Sequence, residues 1–421
     1  MKLGRSLLLA ASVLMTTRFL PAESFYLHDG DRVTFYGDSI TAQRFYTRDV
    51  QDFVATRYPG LNVEFHNAGV PGDKVSGGYA GDAATRVTRD VTPWKPTVIT
   101  VMLGMNDGDY VPPDPQIFAE YQSGYEKLLG LLRTAAPNAR ITLMENTPYD
   151  EITHGTEFKG YMATTEQNAR ATPALGEREH LPVVDTYSPM VEFLQHAKAA
   201  NPSFASLLVT DRIHPAEPTH WIMAATLMKS WHVDPVVSSV TIASATRTVT
   251  ESKRTTVTGV AGDGNRVEWN QMDKALPLPF NFDNELMNFV LSVSDLFSCD
   301  QEMLRVEGLG AGEYVLRIDS MKIGEFSAEQ LEKGINLATM KTPMWQQARD
   351  YDSELGQRNI LASADLTLSA GTHVADRAEG SRILREGEAE FEQKAKDKLR
   401  IVSHHYVLTS VGEKNESVTP R

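Results

Sequence analysis

From about residue 30 to residue 235, short runs of β-branched and apolar residues alternate with longer segments whose apolar positions recur on one face. The short runs predict strands over Arg32 to Tyr36, Val63 to Asn67, Thr97 to Leu103, Arg140 to Glu145 and Val183 to Asp185. Between them, Phe45 to Tyr58 sets Phe45, Val50, Phe53, Val54 and Tyr58 on one helical face. Gln116 to Ala136 does the same with Phe118, Tyr121, Tyr125, Leu128, Leu129 and Leu132, and Pro137-Asn138 closes it. Strands joined by helices of this length require right-handed crossovers, which predicts an α/β unit with a mostly parallel sheet and helices on both faces. In such sheets, functional groups collect on loops at the carboxyl ends of strands.

Beyond a helix at about Thr219 to Trp231 the texture changes. Val240 to Ala243, Arg247 to Val249, Thr255 to Val257 and Tyr314 to Ile318 are Thr- and Val-rich runs separated by Gly, Asp and Asn turns, which predict antiparallel strands. A smaller β-rich unit, read as a sandwich with a helical piece near Leu286 to Leu296, is expected over residues 238–369. Ala375 to Lys398, dense in Glu, Arg, Lys and Ala, reads as a C-terminal helix, with Gly412 to Arg421 frayed. The expected division is a signal peptide over 1–24, the α/β domain over 25–235, the β-rich domain over 238–369, and a helix and tail over 370–421.

A chain of 421 residues exceeds what one core usually serves, in keeping with that division. A net charge of -14 repels phosphate backbones, so nucleic acid is not an expected partner. The single cysteine, Cys299, forms no internal disulfide and reads as a small buried apolar side chain; no Cys/His cluster has zinc spacing, and no metal or cofactor is expected. At the N-terminus, Lys2 and Arg5 precede an apolar run from Ser6 to Met15, the pattern of a secretory signal; the run is too short to span a bilayer, so export without stable membrane insertion is expected.

Four motifs fall at the predicted strand ends. Gly37-Asp38-Ser39 follows the first strand: Gly37 permits a tight turn, and Ser39 places its hydroxyl at the sheet edge, where a following helix would direct its positive end. It is half of a nucleophile elbow, with Thr41 where a second glycine would stand. Gly72, after the second strand, leaves its backbone N–H uncrowded and able to donate to an oxyanion. In Gly104-Met105-Asn106-Asp107, after the third strand, Asn106 offers a preorganised amide donor. In Asp211-Arg212-Ile213-His214-Pro215, the spacing lets Asp211 reach back to the Nδ1 of His214, leaving Nε2 free to take a serine proton. Each motif alone is also an ordinary turn or helix cap; together, in order and each at a strand end, they compose one site.

These blocks resemble the SGNH hydrolases, also called GDSL esterases and lipases: Gly37-Asp38-Ser39, Gly72, Gly104-Met105-Asn106-Asp107 and Asp211-Arg212-Ile213-His214 match the serine, glycine, asparagine and Asp-x-x-His blocks over about residues 30–235. The resemblance implies a flavodoxin-like three-layer α/β/α domain and metal-free ester hydrolysis. It implies a triad of Ser39, His214 and Asp211, with the Ser39 N–H, the Gly72 N–H and the Asn106 side chain as oxyanion donors and Asp38, Gly37, Gly104 and Asp107 in support.

The segments bordering the predicted site, Val75 to Asp82 and Asp150 to Gly160, are not strongly apolar, which suits short acyl groups on a hydrophilic carrier better than long lipid chains. With the expected export and by analogy with the carbohydrate esterases of the family these blocks resemble, the expected substrate is an acetyl ester on carbohydrate. The alternatives are a lipase or arylesterase acting on small lipid or aryl esters, and a non-catalytic carbohydrate-binding or cell-surface protein. In the β-rich unit, Trp269 or Trp345 would either stack on sugar rings or pack in the core.

Overall fold

The computed structural model describes residues 24–155, 159–263, 265–370 and 377–412. The expected signal segment therefore lies outside the described residues, apart from Ser24.

Strands β1 (Arg32–Gly37), β2 (Glu64–Gly69), β3 (Val98–Met102), β4 (Arg140–Met144) and β5 (Val183–Val184) form one sheet in the order β2-β1-β3-β4-β5. Every neighbouring pair is parallel. Alternate residues enter two separate cores. Val33, Phe35, Val98 and Met102 pack on one face with α2 (Phe45–Arg57), α6 (Tyr187–Ala200) and α7 (Glu217–Ser230). Tyr36, Ile99 and Val101 pack on the other with α3 (Ala83–Asp90), α4 (Pro115–Ala135) and Leu175 of α5 (Tyr161–Glu179). Burial on both faces is why β3 is apolar at every position but Thr100.

The second unit has strands β6 (Val236–Ala243), β7 (Thr248–Lys253), β8 (Thr255–Gly262), β9 (Arg266–Asp273), β10 (Gln301–Glu307), β11 (Glu313–Ile318), β12 (Met321–Ser327), β13 (Ile335–Asn336) and β14 (His404–Ser410). They make a five-stranded sheet ordered β8-β9-β14-β11-β12 and a four-stranded sheet ordered β13-β10-β6-β7. The sheets share a core of Val240, Ile242, Val267, Trp269, Leu304, Leu316, Tyr406 and Leu408. Three features depart from expectation. β6 and β10 pair in parallel, whereas only antiparallel strands are predicted. A 28-residue helix, α9 (Pro343–Ala370), occupies a stretch read as β-rich. β14 lies in the segment read as helix and tail, beyond α10 (Arg377–Lys398). Of the two readings of the tryptophans, packing in the core holds: Trp269 is 0% exposed and stacked on Tyr406, and Trp345 is buried with its Nε1 donating to Phe280 O at 2.9 Å, so neither presents a ring to sugar.

The two units are bolted together. Arg57, at the end of α2, pairs with Asp300 at 2.9 Å and donates to Cys299 O at 3.2 Å, all of it buried; Cys299 is the buried free thiol expected. On α9, Arg358 donates to Gln51 Oε1 and Phe65 O, each at 3.2 Å, and Asp352 pairs with Arg48 at 3.1 Å. Helix α9 thus braces α2, the helix that follows the serine turn. Among the described residues, no helix is long and apolar enough to cross a membrane.

Candidate active site

β1 ends at Gly37, where a Cβ would lie 2.2 Å from Thr41 Oγ1 and 2.8 Å from Met102 O, so only glycine allows the next turn to fold back so closely. Asp38 then caps α1 (Ser39–Ala42), accepting the Ile40 N–H at 2.9 Å, and Ser39 stands at its first position. The helix expected after Ser39 is one turn of 4 residues, broken from α2 by left-handed Arg44 at φ 66°. A single turn carries little dipole, so any anion beside Ser39 must be held by individual N–H groups. From β2, Asn67 reaches across to brace this turn, its Nδ2 donating to Thr41 O at 2.7 Å and Thr47 Oγ1 at 2.9 Å.

The third member arrives from the loop before α7. Asp211 Oδ1 accepts the N–H groups of Ile213 at 3.0 Å and His214 at 2.8 Å, and left-handed Arg212 (φ 68°) closes the turn between them. Asp211 Oδ2 then meets His214 Nδ1 at 2.6 Å, and His214 Nε2 lies 2.7 Å from Ser39 Oγ. Burial pushes the Asp211 carboxyl up, but the backbone N–H and ring of His214 and the N–H of Ile213 outweigh it and hold the group below the usual carboxylate value. It is therefore ionised wherever His214 works as a base.

Behind this row stands His220, which the sequence reading misses. It is fully buried; its Nδ1 accepts the Tyr46 N–H at 3.2 Å, and its Nε2 lies 3.0 Å from Pro215 O and 3.2 Å from Gln43 Oε1. Burial pushes its pKa down to about 3, so the ring is neutral, with the Nε2 proton shared by those two acceptors. It struts the His214 loop against the serine turn.

The remaining donors are stitched to one another. Gly72 has φ +71° with nothing within 4 Å of where a Cβ would be, so the backbone angle is what calls for glycine there, and crowding plays no part. One residue on, the Asp73 carbonyl accepts from Asn106 Nδ2 at 3.0 Å, while Asp107 Oδ1 accepts the Val75 N–H at 2.9 Å. The Gly104 carbonyl accepts from Asn168 Nδ2 of α5 at 3.0 Å. Beneath them Arg86, 0% exposed and also unforeseen, pairs with Asp73 at 3.0 Å and with Asp90, and donates to Ala68 O at 2.9 Å. One guanidinium thus fixes the end of β2 and the glycine loop together.

Asp38 and Asp107 are fully buried, and burial pushes each up to about 7 despite the backbone N–H each accepts. A group that binds its proton more tightly when folded than its unfolded value of 3.8 stabilises the fold at low pH and loses that stabilisation as pH rises through 7. Asp107→Asn keeps the acceptor for Val75 and removes the titration. Its melting temperature relative to the parent is expected to climb from pH ~5 to pH ~8; a difference that stays flat with pH counts against this assignment.

Ser39, His214 and Asp211 are thus in direct contact, Asn106 is tied to the Gly72 loop through Asp73, and Gly37, Asp38, Gly104 and Asp107 shape the loops that carry them. Among the described residues, no group of three or more His, Cys, Asp or Glu side chains is placed to hold a metal ion. An alcohol, an imidazole and a carboxylate in one hydrogen-bonded row at the carboxyl edge of a parallel sheet define the class: a serine hydrolase. Residues 35–222 match the GDSL-like Lipase/Acylhydrolase family model, in agreement with an ester-cleaving serine hydrolase. Over 219 residues the chain is 26% identical to an acetylxylan esterase of Geobacillus stearothermophilus, covering 48% of this chain and 93% of that protein. The crystal structure of that esterase aligns over 49% of this chain and 96% of its own with a TM-score of 0.39 at 26% identity. A solved gut microbial diltiazem-metabolizing enzyme covers 91% of this chain and 98% of its own with a TM-score of 0.78 at 23% identity, a likeness of fold that takes in the second unit as well.

Proposed function

We propose that the chain is an exported esterase that removes short acyl groups, acetyl foremost, from carbohydrate, with Ser39 as nucleophile, His214 as general base and Asp211 as the group that orients it. The observation that carries this reading is the unbroken row from Asp211 Oδ2 through His214 to Ser39 Oγ, at 2.6 Å and 2.7 Å. In acylation, His214 Nε2 takes the Ser39 proton as Oγ bonds to the ester carbonyl carbon, and the carbonyl oxygen becomes an anion. The Ser39 N–H, the Gly72 N–H and Asn106 Nδ2 are its donors. The carbon–oxygen bond to the alcohol then breaks, and the alcohol leaves with the proton from His214. Water repeats the sequence on the acyl-serine, returning the acid and the free enzyme.

The acetyl and carbohydrate parts of the reading draw on the acetylxylan esterase to which residues of this segment are similar, and on the polar segments bordering the site. The strand order β2-β1-β3-β4-β5, with helices on both faces, supports a flavodoxin-like three-layer domain over 25–235, followed by the β-rich domain. The charged and apolar start of the sequence supports export. A purely binding role would leave a serine and a histidine in hydrogen-bond contact without purpose.

The reading is tested by measuring acetate release from acetylated xylo-oligosaccharides beside p-nitrophenyl esters of increasing acyl length. Turnover should be greatest for acetyl and fall with length; a preference for long acyl chains would replace this reading with a lipase. If Asn106 is an oxyanion donor, Asn106→Ala should lower kcat by about 10² to 10³ with little change in KM.

A further inference from the structure

Asn106 can serve an oxyanion only if its amide nitrogen, and not its oxygen, faces the reacting carbonyl. Its Nδ2 donates one hydrogen to Asp73 O at 3.0 Å, while its Oδ1 accepts the hydroxyl of Tyr110 at 2.8 Å. A carbonyl can accept but not donate, so the Asp73 contact requires nitrogen on that side, and the Tyr110 hydroxyl completes the assignment by donating to the oxygen. The second Nδ2 hydrogen remains for substrate.

Tyr110 reaches this position through an unusual backbone. Asp109 and Tyr110 are consecutive left-handed residues, at φ 51° and 57°, and neither is a glycine. For a tyrosine such a conformation persists only where the surroundings impose it. Here two contacts do so. Asp109 is paired with Lys74, which follows the Asp73 that binds Asn106. The Tyr110 ring packs on Tyr161 at 4.8 Å between centroids, and the Tyr161 hydroxyl donates to Met105 O, one residue before Asn106. Burial, with Asp38 and Asp211 nearby, pushes the Tyr110 hydroxyl up to about 12, so it remains a donor at any working pH.

We infer that Tyr110 is a positioning residue for the oxyanion site: its hydroxyl locks the Asn106 amide with nitrogen toward substrate, and by donating to Oδ1 it polarises that amide into a stronger donor. The inference rests on the proposed donor role of Asn106.

The test is a double-mutant cycle on p-nitrophenyl acetate, with kcat and KM measured separately and thermal melting used to verify folding. Tyr110→Phe, which removes one oxygen, should lower kcat about 10- to 100-fold with KM within about twofold. In the Asn106→Ala background the same change should cost nothing more, because the group through which it acts is gone. Losses that multiply, a loss confined to KM, or full kcat in Tyr110→Phe would each overturn the inference. Should Tyr110→Phe fail to fold, Lys74→Ala loosens the same loop from outside; its kcat should fall, and that fall too should vanish beside Asn106→Ala. An unchanged or additive result there overturns the inference equally. If Asn106→Ala alone has no effect, the donor role itself fails; if Asn106→Ala is slow but Tyr110→Phe is not, only the positioning role fails.

Discussion

Replacing Ser39 with alanine is expected to abolish ester hydrolysis, lowering kcat by on the order of 10⁴-fold or more, while leaving the melting temperature essentially where it was. The two halves of this expectation have separate causes. Turnover requires an oxygen that can bond to the acyl carbon, and the hydroxyl 2.7 Å from His214 Nε2 is the one the base can deprotonate. Stability does not depend on that oxygen. Ser39 is half-buried at the first position of a one-turn helix capped by Asp38, and His214 stays anchored by Asp211 through both a backbone and a ring contact. Removing one atom there opens no core cavity, so the change should stay within about 0.5 kcal/mol. Fluorophosphonate labelling should disappear in the same variant. Retained labelling at another residue, or hydrolysis at the parental rate, would remove Ser39 from the mechanism.

The second large effect is on stability. Arg57→Ala should cost roughly 3–5 kcal/mol, read from urea unfolding, because it strips the partner from a carboxylate sealed between the two units. Arg57 and Asp300 are both 0% exposed, and Asp300 Oδ2 is already committed to the Leu278 N–H at 2.9 Å. Burial pushes Asp300 up to about 6 even with the guanidinium and that N–H pulling it down. Without Arg57 its folded value climbs further. A raised acid stabilises below its unfolded value and loses that contribution as pH rises through the folded one, so the variant should lose more at pH ~8 than at pH ~5. A loss under about 1 kcal/mol, or one that shrinks with rising pH, would mean that the boundary is held by apolar packing and not by this pair.

The parts of the molecule that the sequence discloses are those fixed by local pattern. β3 is legible because burial on both faces demands an apolar run, and α4 because Tyr121, Tyr125, Leu128, Leu129 and Leu132 share a stripe. Ser39, Gly72, Asn106 and the Asp211–His214 pair are legible because their chemistry requires particular residue types at strand ends. Arg86, His220 and Tyr110 are not. An arginine on a helix reads as a solvated side chain until Asp73, Asp90 and the end of β2 close around it. His220 lies only six residues past His214 on α7, where nothing local separates a strut from a surface ring. Helix α9 could have been found, since Met344, Ala348, Tyr351 and Leu355 follow helical spacing and all are buried, but the acidic and amide residues between them dilute the signal. β14 is short and follows a long charged helix, so its Tyr406-Val407-Leu408 centre resembles the start of a tail until its neighbours are known.

That strand also governs the order in which the protein can be made. β14 sits between β9 and β11 in the middle of its sheet, hydrogen-bonded to both, although more than 80 residues separate it from the nearer of them. While residues 404–410 are still inside the ribosome, the emerged strands form two half-sheets with a bare inner edge on each, the kind of edge that recruits strands from other molecules. The strands of the α/β sheet, by contrast, are all complete by Val184. The second unit must wait for its keystone, and it is in that interval that a nascent chain would most need protection from its neighbours.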